Sequence, residues 1–476
     1  MTIGLPMSRR MGVLALGAYA VLLFLTAPAW PDDWDGVGFL ESVERFDLAR
    51  FQPHPPGYPV YVALLRAAEL VARVPMRACV VVAVVSGVVA VAFVWSAARS
   101  AVGERGAWAV ATLVAATPLA WRVCSGVGSE APALACAAAC AWGLVSSGRT
   151  RWAGPLALGI GVGLGLGVRL SWAPLYLAAL VLAPTGARTR AWGAAAASSV
   201  AWLAPLVTIV GAARLYALTV AHVAGHAARW GGTVVTEPGG VRLRWLARDL
   251  FVDGLGAGTD VLGLAIGLVL LLALAVAVLA WRRARWPGRG AAALVVAPYL
   301  LWIALGQNLR DQPRHVLPLV AVLSAAIALP AATSRRALAV VGVLAVLVAT
   351  RTALDAHARR TVAPPGVQLV ELARAQPSPD RLDVFGASSV RFFETTFETT
   401  ELAPHAFAAG SLGDVEVRLT RLEALPSRVW VTSEVEGLHE SPWPLVHLAT
   451  LCRPARIDRR APCLDVYSWT LPYLRP

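Results

Sequence analysis

Apolar stretches long enough to cross a lipid bilayer recur through the first three quarters of this chain, and they constrain its fold more than any other feature. A spanning helix needs roughly 20 apolar residues. By that measure the predicted spans, about eleven in number, lie near residues 11–29, 77–97, 106–121, 130–147, 152–168, 170–184, 191–211, 259–281, 290–307, 314–333 and 335–351. With 57% hydrophobic residues, the chain is predicted to be an all-α polytopic membrane protein.

The charges between the spans predict an orientation. Arginine predominates in alternate connectors and acidic residues predominate in the others. Because cytoplasmic loops carry excess positive charge, the N-terminus is predicted inside and the C-terminus outside. The chain has no lysine, as is typical of GC-rich bacterial genomes, and the predicted location is the bacterial inner (cytoplasmic) membrane. The net charge of +13 comes largely from these connectors, so no nucleic-acid partner is expected.

Long polar segments divide the chain further. The first span has no convincing processing site and is interpreted as a retained anchor. Residues 30–76 and 212–258 form two long external loops. The predicted domains are a transmembrane domain over residues 1–351 and an extracytoplasmic domain over residues 352–476.

The tail carries local signals of its own. Strand-like runs at residues 381–385 and 427–432 predict a small α/β domain. Cys452 and Cys463 also lie there, and an oxidising compartment would allow a disulfide between them. The sequence leaves that pairing open.

An acidic cluster, Asp32, Asp33 and Asp35, follows the first span directly. Three neighbouring carboxylates repel one another, so at least one pKa should rise in a partly desolvated pocket. Such a carboxylate could act as a general base toward an acceptor hydroxyl. The alternative is a solvated turn that caps a helix starting near Gly36. Residue pattern alone favours the cap.

A proline-rich turn, His54–Pro59 (HPPGYP), lies about twenty residues further on. Its three prolines and one glycine exclude a regular helix and predict a rigid turn beside the membrane. That turn could direct His54 and Tyr58 toward a pocket. The alternative is a plain junction between a loop and a helix.

Together these motifs carry a family resemblance. Asp35–Phe39 (DGVGF) followed by His54–Tyr61 (HPPGYPVY) resembles the first external loop of GT-C-type, protein O-mannosyltransferase-like glycosyltransferases, including their bacterial members. Ser129–Ala131, the glycine-rich Gly163–Leu170 and Pro313–Pro318 resemble further stretches of these proteins. The resemblance extends over most of the predicted transmembrane domain.

The resemblance implies a function. It implies a polyprenyl-phosphate sugar as the donor, an outward-facing site and an inverting transfer, with one first-loop aspartate as the base. Asp35 matches best, because an aromatic residue follows four positions later. The chain departs from the family pattern in two ways. It has Gly36 where the family has a second acidic residue beside the base, and the interval from Asp35 to His54 is longer. Asp32 and Asp33 therefore remain candidates for the base.

Polar residues at predicted outer membrane edges are candidates for binding the donor phosphate. Arg310, Arg314 and His315 lie at one such edge, where an arginine could hold a phosphate or reach the lipid headgroups. Arg169 lies between two short spans, where its charge calls for a partner such as Glu130 or a phosphate.

His222 and His226 are spaced so that a helix would place them on one face. That spacing suits a metal, but no third ligand is evident, and a place in the acceptor cleft is the preferred interpretation. No metal site is predicted, and a divalent metal is left open as a cofactor. No phosphate-binding loop or dinucleotide motif stands out.

The sequence therefore predicts a membrane glycosyltransferase whose acceptor is a protein, a lipid or a glycan. One alternative is a transporter or flippase of lipid-linked substrates, which would carry ionisable residues in the middle of several spans. The other is a non-catalytic membrane assembly protein, which would tolerate loss of the acidic cluster.

Overall fold

The computed structural model of the chain describes residues 7–228, 231–283, 289–310, 312–377, 382–395, 405–420, 428–441, 444–458 and 462–469. Helices account for most of these residues. In chain order they are α1 (Met7–Leu25), α2 (Trp34–Glu44), α3 (Pro59–Ala72), α4 (Pro75–Ala116), α5 (Pro118–Cys124), α6 (Glu130–Ser146), α7 (Ala153–Val168), α8 (Ala173–Val181), α9 (Thr185–Val210), α10 (Ala212–Ala228), α11 (Gly239–Arg248), α12 (Val261–Arg283), α13 (Arg289–Leu305), α14 (Leu317–Ala328), α15 (Arg335–Thr361), α16 (Pro365–Arg374), α17 (Phe392–Thr395) and α18 (Leu412–Thr420).

The chain divides into two compact units. The helical unit comprises Met1–Ala27 and Ser42–His357, and the C-terminal unit comprises Pro28–Glu41 and Ala358–Pro476. The sequence division assigned all of the first loop to the transmembrane domain. In the structure the start of that loop belongs to the C-terminal unit, because Val37 of α2 is fully buried in the core of that unit.

Every predicted span falls on one or two of these helices. Within the described ranges, five segments are long and apolar enough to cross a membrane, judged by length and composition: Pro75–Ala116, Thr185–Val210, Val261–Arg282, Pro313–Ala332 and Arg335–Arg374. The same ranges contain five shorter apolar helices: Arg10–Leu25, Glu130–Ser146, Ala153–Val168, Leu170–Val181 and Gly290–Leu305. The prediction of a mostly helical membrane fold is confirmed. The number of spans and their orientation stay predictions.

Helix α4 covers two of the predicted spans. Its backbone leaves helical geometry at Gly103, which has a φ of 77°. Only glycine adopts that left-handed conformation at little cost, so the helix changes direction there. It ends at Ala116, directly before Pro118 starts α5.

The glycines of α7 allow close helix packing on both sides. A Cβ on Gly159 would lie 2.2 Å from the carbonyl oxygen of Ala191 in α9, and one on Gly163 would lie 2.6 Å from that of Ala195. A Cβ on Gly161 would lie 2.9 Å from the carbonyl oxygen of a residue in α6. Backbones in membrane helices approach this closely where small residues face each other. This packing fixes α6, α7 and α9 relative to one another.

The C-terminal unit contains a five-stranded sheet in the order β2-β1-β3-β5-β4. The strands are β1 (Leu382–Gly386), β2 (Ala406–Ala408), β3 (Arg428–Thr432), β4 (Leu445–Cys452) and β5 (Cys463–Trp469). The first three are parallel, and β5 runs antiparallel to both β3 and β4. Helix α16 packs on one face and α18 on the other. The predicted α/β domain is confirmed.

Details of the tail agree with the sequence signals. Both predicted strand runs form strands, although their first residues, Arg381 and Ser427, lie outside the described residues. Cys452 and Cys463 form a disulfide between the ends of β4 and β5. The disulfide therefore closes the β4–β5 pair.

Candidate functional site

The three carboxylates of the acidic cluster have different surroundings. Asp33 caps the start of α2: its Oδ1 accepts a hydrogen bond of 2.9 Å from the backbone N–H of Gly36. Asp35 lies in the first turn of α2 with 7% of its surface exposed. The positive end of the helix dipole favours a carboxylate at this position. The capping interpretation applies to Asp33, and a role as base stays a prediction.

Asp32 is held by two arginines of the same unit. Its Oδ1 accepts hydrogen bonds of 3.0 Å from Nε of Arg359 and 2.9 Å from Nη1 of Arg453, and its Oδ2 lies 2.5 Å from Nη2 of Arg359. All three side chains are at most 10% exposed. A carboxylate enclosed in this way is stabilised in its charged form.

In the helical unit, the proline-rich turn holds two candidate side chains together. Nε2 of His54 lies 2.6 Å from the hydroxyl of Tyr58, and the backbone N–H of Gly57 donates to the His54 carbonyl at 3.1 Å. Gly57 has a φ of 106°, and a Cβ there would lie 3.0 Å from Leu48. A glycine is therefore required at this position, and Pro59 begins α3 directly afterwards.

His222 of α10 joins this turn. Its ring centroid lies 5.5 Å from that of His54 and 6.1 Å from that of Phe51. The side chain of His226, one helical turn later, lies outside the described residues. In the part of the chain that the structure describes, no group of three or more His, Cys, Asp or Glu side chains could hold a metal ion. The rings of His54, Tyr58 and His222 form an aromatic group at the turn.

A second group of predicted residues forms a buried ionic cluster in the helical unit. Nη1 of Arg169 lies 2.8 Å from Oε1 of Glu130 and donates to the hydroxyl of Ser129 at 2.9 Å. Nε of Arg314 lies 3.4 Å from the same Glu130 oxygen. Nη2 of Arg169 reaches Nδ1 of His315 at 3.2 Å. We call these five residues the buried cluster.

Helix ends explain why these side chains meet. Glu130 lies at the start of α6, and Arg169 follows the last residue of α7. A carboxylate at a helix start and a guanidinium at a helix end both interact favourably with the helix dipoles. Arg314 and His315 belong to the turn Pro313–Val316, which leads into α14. The cluster therefore assembles where two helices begin and one ends.

His315 is fixed in orientation by its neighbours. Nδ1 of His315 lies 3.2 Å from Nη2 of Arg169, and because an arginine only donates hydrogen bonds, Nδ1 is the acceptor in that contact. The hydroxyl of Tyr299 donates to the His315 carbonyl at 2.6 Å, and the side-chain amide of Gln307 lies 2.8 Å from Nδ1. These contacts hold the ring beside the two guanidinium groups.

Tyr61 connects the proline-rich turn to the buried cluster. Three residues after Tyr58, its hydroxyl accepts a hydrogen bond of 3.0 Å from the backbone N–H of Gly128. Gly128 has a φ of 157°, and a Cβ there would lie 2.2 Å from Oε2 of Glu130. The absent side chain at Gly128 leaves room for the Glu130 carboxylate.

The structure brings together some candidates and not others. Glu130, Arg169, Arg314 and His315 meet although up to 185 positions separate them in the sequence. Arg310 is exposed, and its backbone N–H donates a hydrogen bond to the side chain of Asn308.

Sequence reasoning missed several supporting residues, namely Tyr61, Tyr299, Gln307, Arg359 and Arg453. Tyr61 ends the motif His54–Tyr61 but was given no role there, and no local motif marks the other four.

The buried cluster holds two guanidinium groups beside one carboxylate. The side chains of Arg169, Glu130 and Arg314 are 5%, 4% and 19% exposed. Guanidinium groups bind phosphate through paired, charge-assisted hydrogen bonds. Two arginines held in this way could bind a phosphate.

Comparison with known proteins identifies a family that part of the chain resembles. Residues 53–217, which run from the proline-rich turn into α10, match the family of dolichyl-phosphate-mannose-protein mannosyltransferases. The matched third of the chain is therefore similar to a family of the GT-C superfamily of integral-membrane glycosyltransferases. The sequence has no match among curated proteins.

Solved structures of two other proteins are similar over most of the chain. ArnT from Cupriavidus metallidurans, bound to undecaprenyl phosphate, is 14% identical over 98% of this chain and 99% of its own, with a TM-score of 0.44. The archaeal oligosaccharyltransferase AglB from Archaeoglobus fulgidus, in complex with an inhibitory peptide and a dolichol-phosphate, is 13% identical over 89% of this chain and 69% of its own, with a TM-score of 0.45. The similarity to the GT-C superfamily therefore rests on the match of residues 53–217 to the mannosyltransferase family.

Proposed function

We propose that this protein transfers a sugar from a polyprenyl-phosphate donor to an acceptor hydroxyl outside the cytoplasm, with inversion at the anomeric carbon. The observation that carries the proposal is the buried cluster, in which the guanidinium groups of Arg169 and Arg314 lie 2.8 and 3.4 Å from the same Glu130 carboxylate oxygen. The match of residues 53–217 to a family named for a lipid-phosphate sugar supports the same donor class.

Arg169 and Arg314 would bind the phosphate of the donor. The donor is a phosphodiester with one negative charge, and the departing polyprenyl phosphate gains a second. Two guanidinium groups in a water-poor site stabilise charge that develops in this way. Glu130 would hold both arginines in place, and His315 would help to hold Arg169.

Asp35 is the proposed base. Its carboxylate takes the proton of the acceptor hydroxyl while that oxygen attacks the anomeric carbon, and the bond to the phosphate oxygen breaks on the opposite face. Asp33 caps α2, and Asp32 binds two arginines. Asp35 is preferred within the acidic cluster because it matches the family resemblance best.

The aromatic surface of His54, Tyr58 and His222 is the proposed place for the acceptor or the sugar. Flat rings with polar edges bind sugars through stacking and hydrogen bonds, and these three rings lie within one group. In this proposal Arg310 takes no part in the phosphate site, because its side chain is exposed.

Transfer of radiolabel from a panel of polyprenyl-phosphate sugars in membranes tests the function. We expect Arg169→Gln to reduce transfer by about 10²–10³-fold, the usual effect of removing one group that stabilises transition-state charge. Asp35→Asn should reduce it by about 10²–10⁴-fold, the range for general bases. Arg336→Gln, an exposed arginine at the start of α15, is the matched control.

Three outcomes would contradict the proposal. Unchanged transfer in Asp35→Asn would exclude that residue as the base, and unchanged transfer in Arg169→Gln would exclude the buried cluster as the phosphate site. Movement of intact donor lipid across vesicles without label transfer would favour a flippase instead.

A further inference from the structure

The carboxylate of Asp32 forms a buried ionic triad with Arg359 and Arg453. Three guanidinium N–H groups point at its two oxygens over 2.5 to 3.0 Å. The side chain of Arg453 is completely buried, and that of Arg359 is 5% exposed. These contacts attach Asp32 to two arginines of the same unit, so Asp32 can serve as an anchor.

Arg453 is itself held from several sides. Its backbone N–H donates to the carbonyl of Pro462 at 2.7 Å, and its Nη2 donates to the carbonyl of Arg359 at 2.8 Å. The preceding residue, Cys452, is linked by the disulfide to Cys463. An arginine restrained in this way presents its guanidinium in one place.

Helix α2 has further attachments to the same unit. Nη2 of Arg391 lies 2.9 Å from Oε2 of Glu41, and its guanidinium carbon lies 5.5 Å from the ring centroid of Trp34. Between them, Val37 is fully buried in the core of the C-terminal unit. The segment that carries Asp35 is thus attached at four points. These are Asp32 before the helix, Trp34 at its first residue, Val37 in its middle and Glu41 near its end.

We propose that Arg359 and Arg453 are positioning residues, which fix α2 and thereby place Asp35 through the carboxylate of Asp32. The inference rests on the proposed function, in which Asp35 is the base. A base must lie within hydrogen-bond reach of the proton that it accepts, and a misplacement of 1 Å costs about 10²-fold in rate. On this reasoning the C-terminal unit contributes to the reaction by holding the base.

Arg453→Gln is the most informative variant. It leaves Asp32 paired with Arg359, so no buried carboxylate is left unpaired, and the unit should still fold. The matched control is Arg428→Gln, which removes an arginine of β3 that bonds to the side chain of Gln376 in the same unit. Both variants are made in the full-length protein in detergent or nanodiscs.

Amide hydrogen exchange tests the positioning without reference to activity. We expect peptides covering residues 31–44 to exchange at least about ten-fold faster in Arg453→Gln than in wild type, because local opening becomes easier. The same peptides should be unchanged in Arg428→Gln. Equal exchange in wild type and Arg453→Gln would overturn the inference.

Kinetics test whether the positioning matters for transfer. Arg453→Gln should lower kcat by about 10²-fold, leave the donor KM unchanged and shift the acidic limb of the kcat–pH profile. A smaller folded fraction would lower kcat but would not move the pH profile. The loss of kcat in the double variant Asp32→Asn with Arg453→Gln should be smaller than the product of the two single losses, because both changes break the contact between Asp32 and Arg453.

Different results would contradict the positioning role of Arg453 and the proposed glycosyltransferase function. Faster exchange in α2 with an unchanged kcat and pH profile would overturn the positioning role and leave the glycosyltransferase proposal standing. Absence of transfer by wild type, from every donor and with acceptor-containing membranes, would overturn the proposed function and the positioning role with it. The exchange data would still decide whether Arg453 fixes α2.

Discussion

At the scale of single residues, the arrangement of charge in each unit follows from the cost of burying it. Arg169 is 4% exposed and Glu130 is 3% exposed, so neither charge could be accommodated without the other. The sequence indicated that Arg169 needs a partner, because an arginine in or beside a span is costly. It left Glu130 and a phosphate as alternatives, and the contact with Arg314 was not foreseen. Local sequence indicates that a charge must be paired but does not select among distant partners.

Gly128 offers a test of the room around Glu130. Gly128→Ala places a Cβ 2.2 Å from Oε2 of Glu130, so the carboxylate must move away from the two arginines. We expect the donor KM to rise about ten-fold or more, in line with losing one charge-assisted contact of roughly 1.5–3 kcal/mol. The measurement is transfer rate against donor concentration.

Gly103→Ala is the control for Gly128→Ala. Gly103 also has a positive φ, of 77°, but nothing lies within 4 Å of a Cβ added there. It reproduces the backbone strain without the collision. Equal effects on KM in both variants would mean that strain, and not displacement of Glu130, causes the change.

At the scale of helices and strands, the sequence predicted an element correctly where the residues of that element alone determine its structure. The alternation and β-branched content of residues 382–386 and 428–432 indicated strands, and both form there. The glycines of α7 lie where that helix packs closely against α6 and α9. The sequence of the first loop could not show that Val37 belongs to the core of the tail, because that core is formed largely by residues more than 300 positions later.

Packing of α7 against α9 gives a prediction for stability. Gly163→Ala would put a Cβ 2.6 Å from the Ala195 carbonyl and 2.0 Å from the Ser198 hydroxyl, which forces the helices apart. Overpacking of this kind costs about 1–3 kcal/mol, so the thermal unfolding midpoint in detergent should fall. Gly193→Ala in α9 meets nothing within 4 Å and should leave the midpoint unchanged or raise it, since alanine favours helix. A midpoint that falls equally in both variants would argue against this packing.

The strand β1 carries a buried acid that predicts a pH dependence. Burial raises the pKa of Asp383, although the hydrogen bond from His405 opposes the shift. A carboxyl whose pKa is higher in the folded state stabilises that state below its ordinary pKa. This contribution is lost as the pH rises through the folded-state pKa. Asp383→Asn cannot titrate, so its unfolding midpoint relative to wild type should increase as the pH is raised across that range. A difference that is constant or that decreases with pH would contradict the sign of the shift.

At the scale of the whole molecule, composition and spacing predicted the architecture better than the site. Long apolar runs and a polar tail can be recognised directly in the sequence. They correspond to the helical membrane fold and the small α/β unit that the chain forms. The site depends on distant pairs. Arg453 is one of 42 basic residues and carries no local mark, yet it binds Asp32 from 421 positions away. Its importance follows only from the folded C-terminal unit.

The predicted orientation is the remaining property of the whole molecule, and chemical labelling can decide it. Arginine-rich connectors predict the N-terminus inside and the C-terminal unit outside. The disulfide between Cys452 and Cys463 agrees with that side, because disulfides persist in oxidising compartments.

Glu416→Cys, at an exposed position of α18, should react with a membrane-impermeant maleimide in intact spheroplasts. Arg105→Cys, exposed in a predicted inner connector, should react only after permeabilisation. Cys79, Cys124 and Cys140 are buried and should stay unlabelled in both samples, which keeps the background low. The reverse pattern would place the C-terminal unit, and with it the acidic cluster, on the cytoplasmic side, where a transfer outside the cytoplasm could not use Asp35.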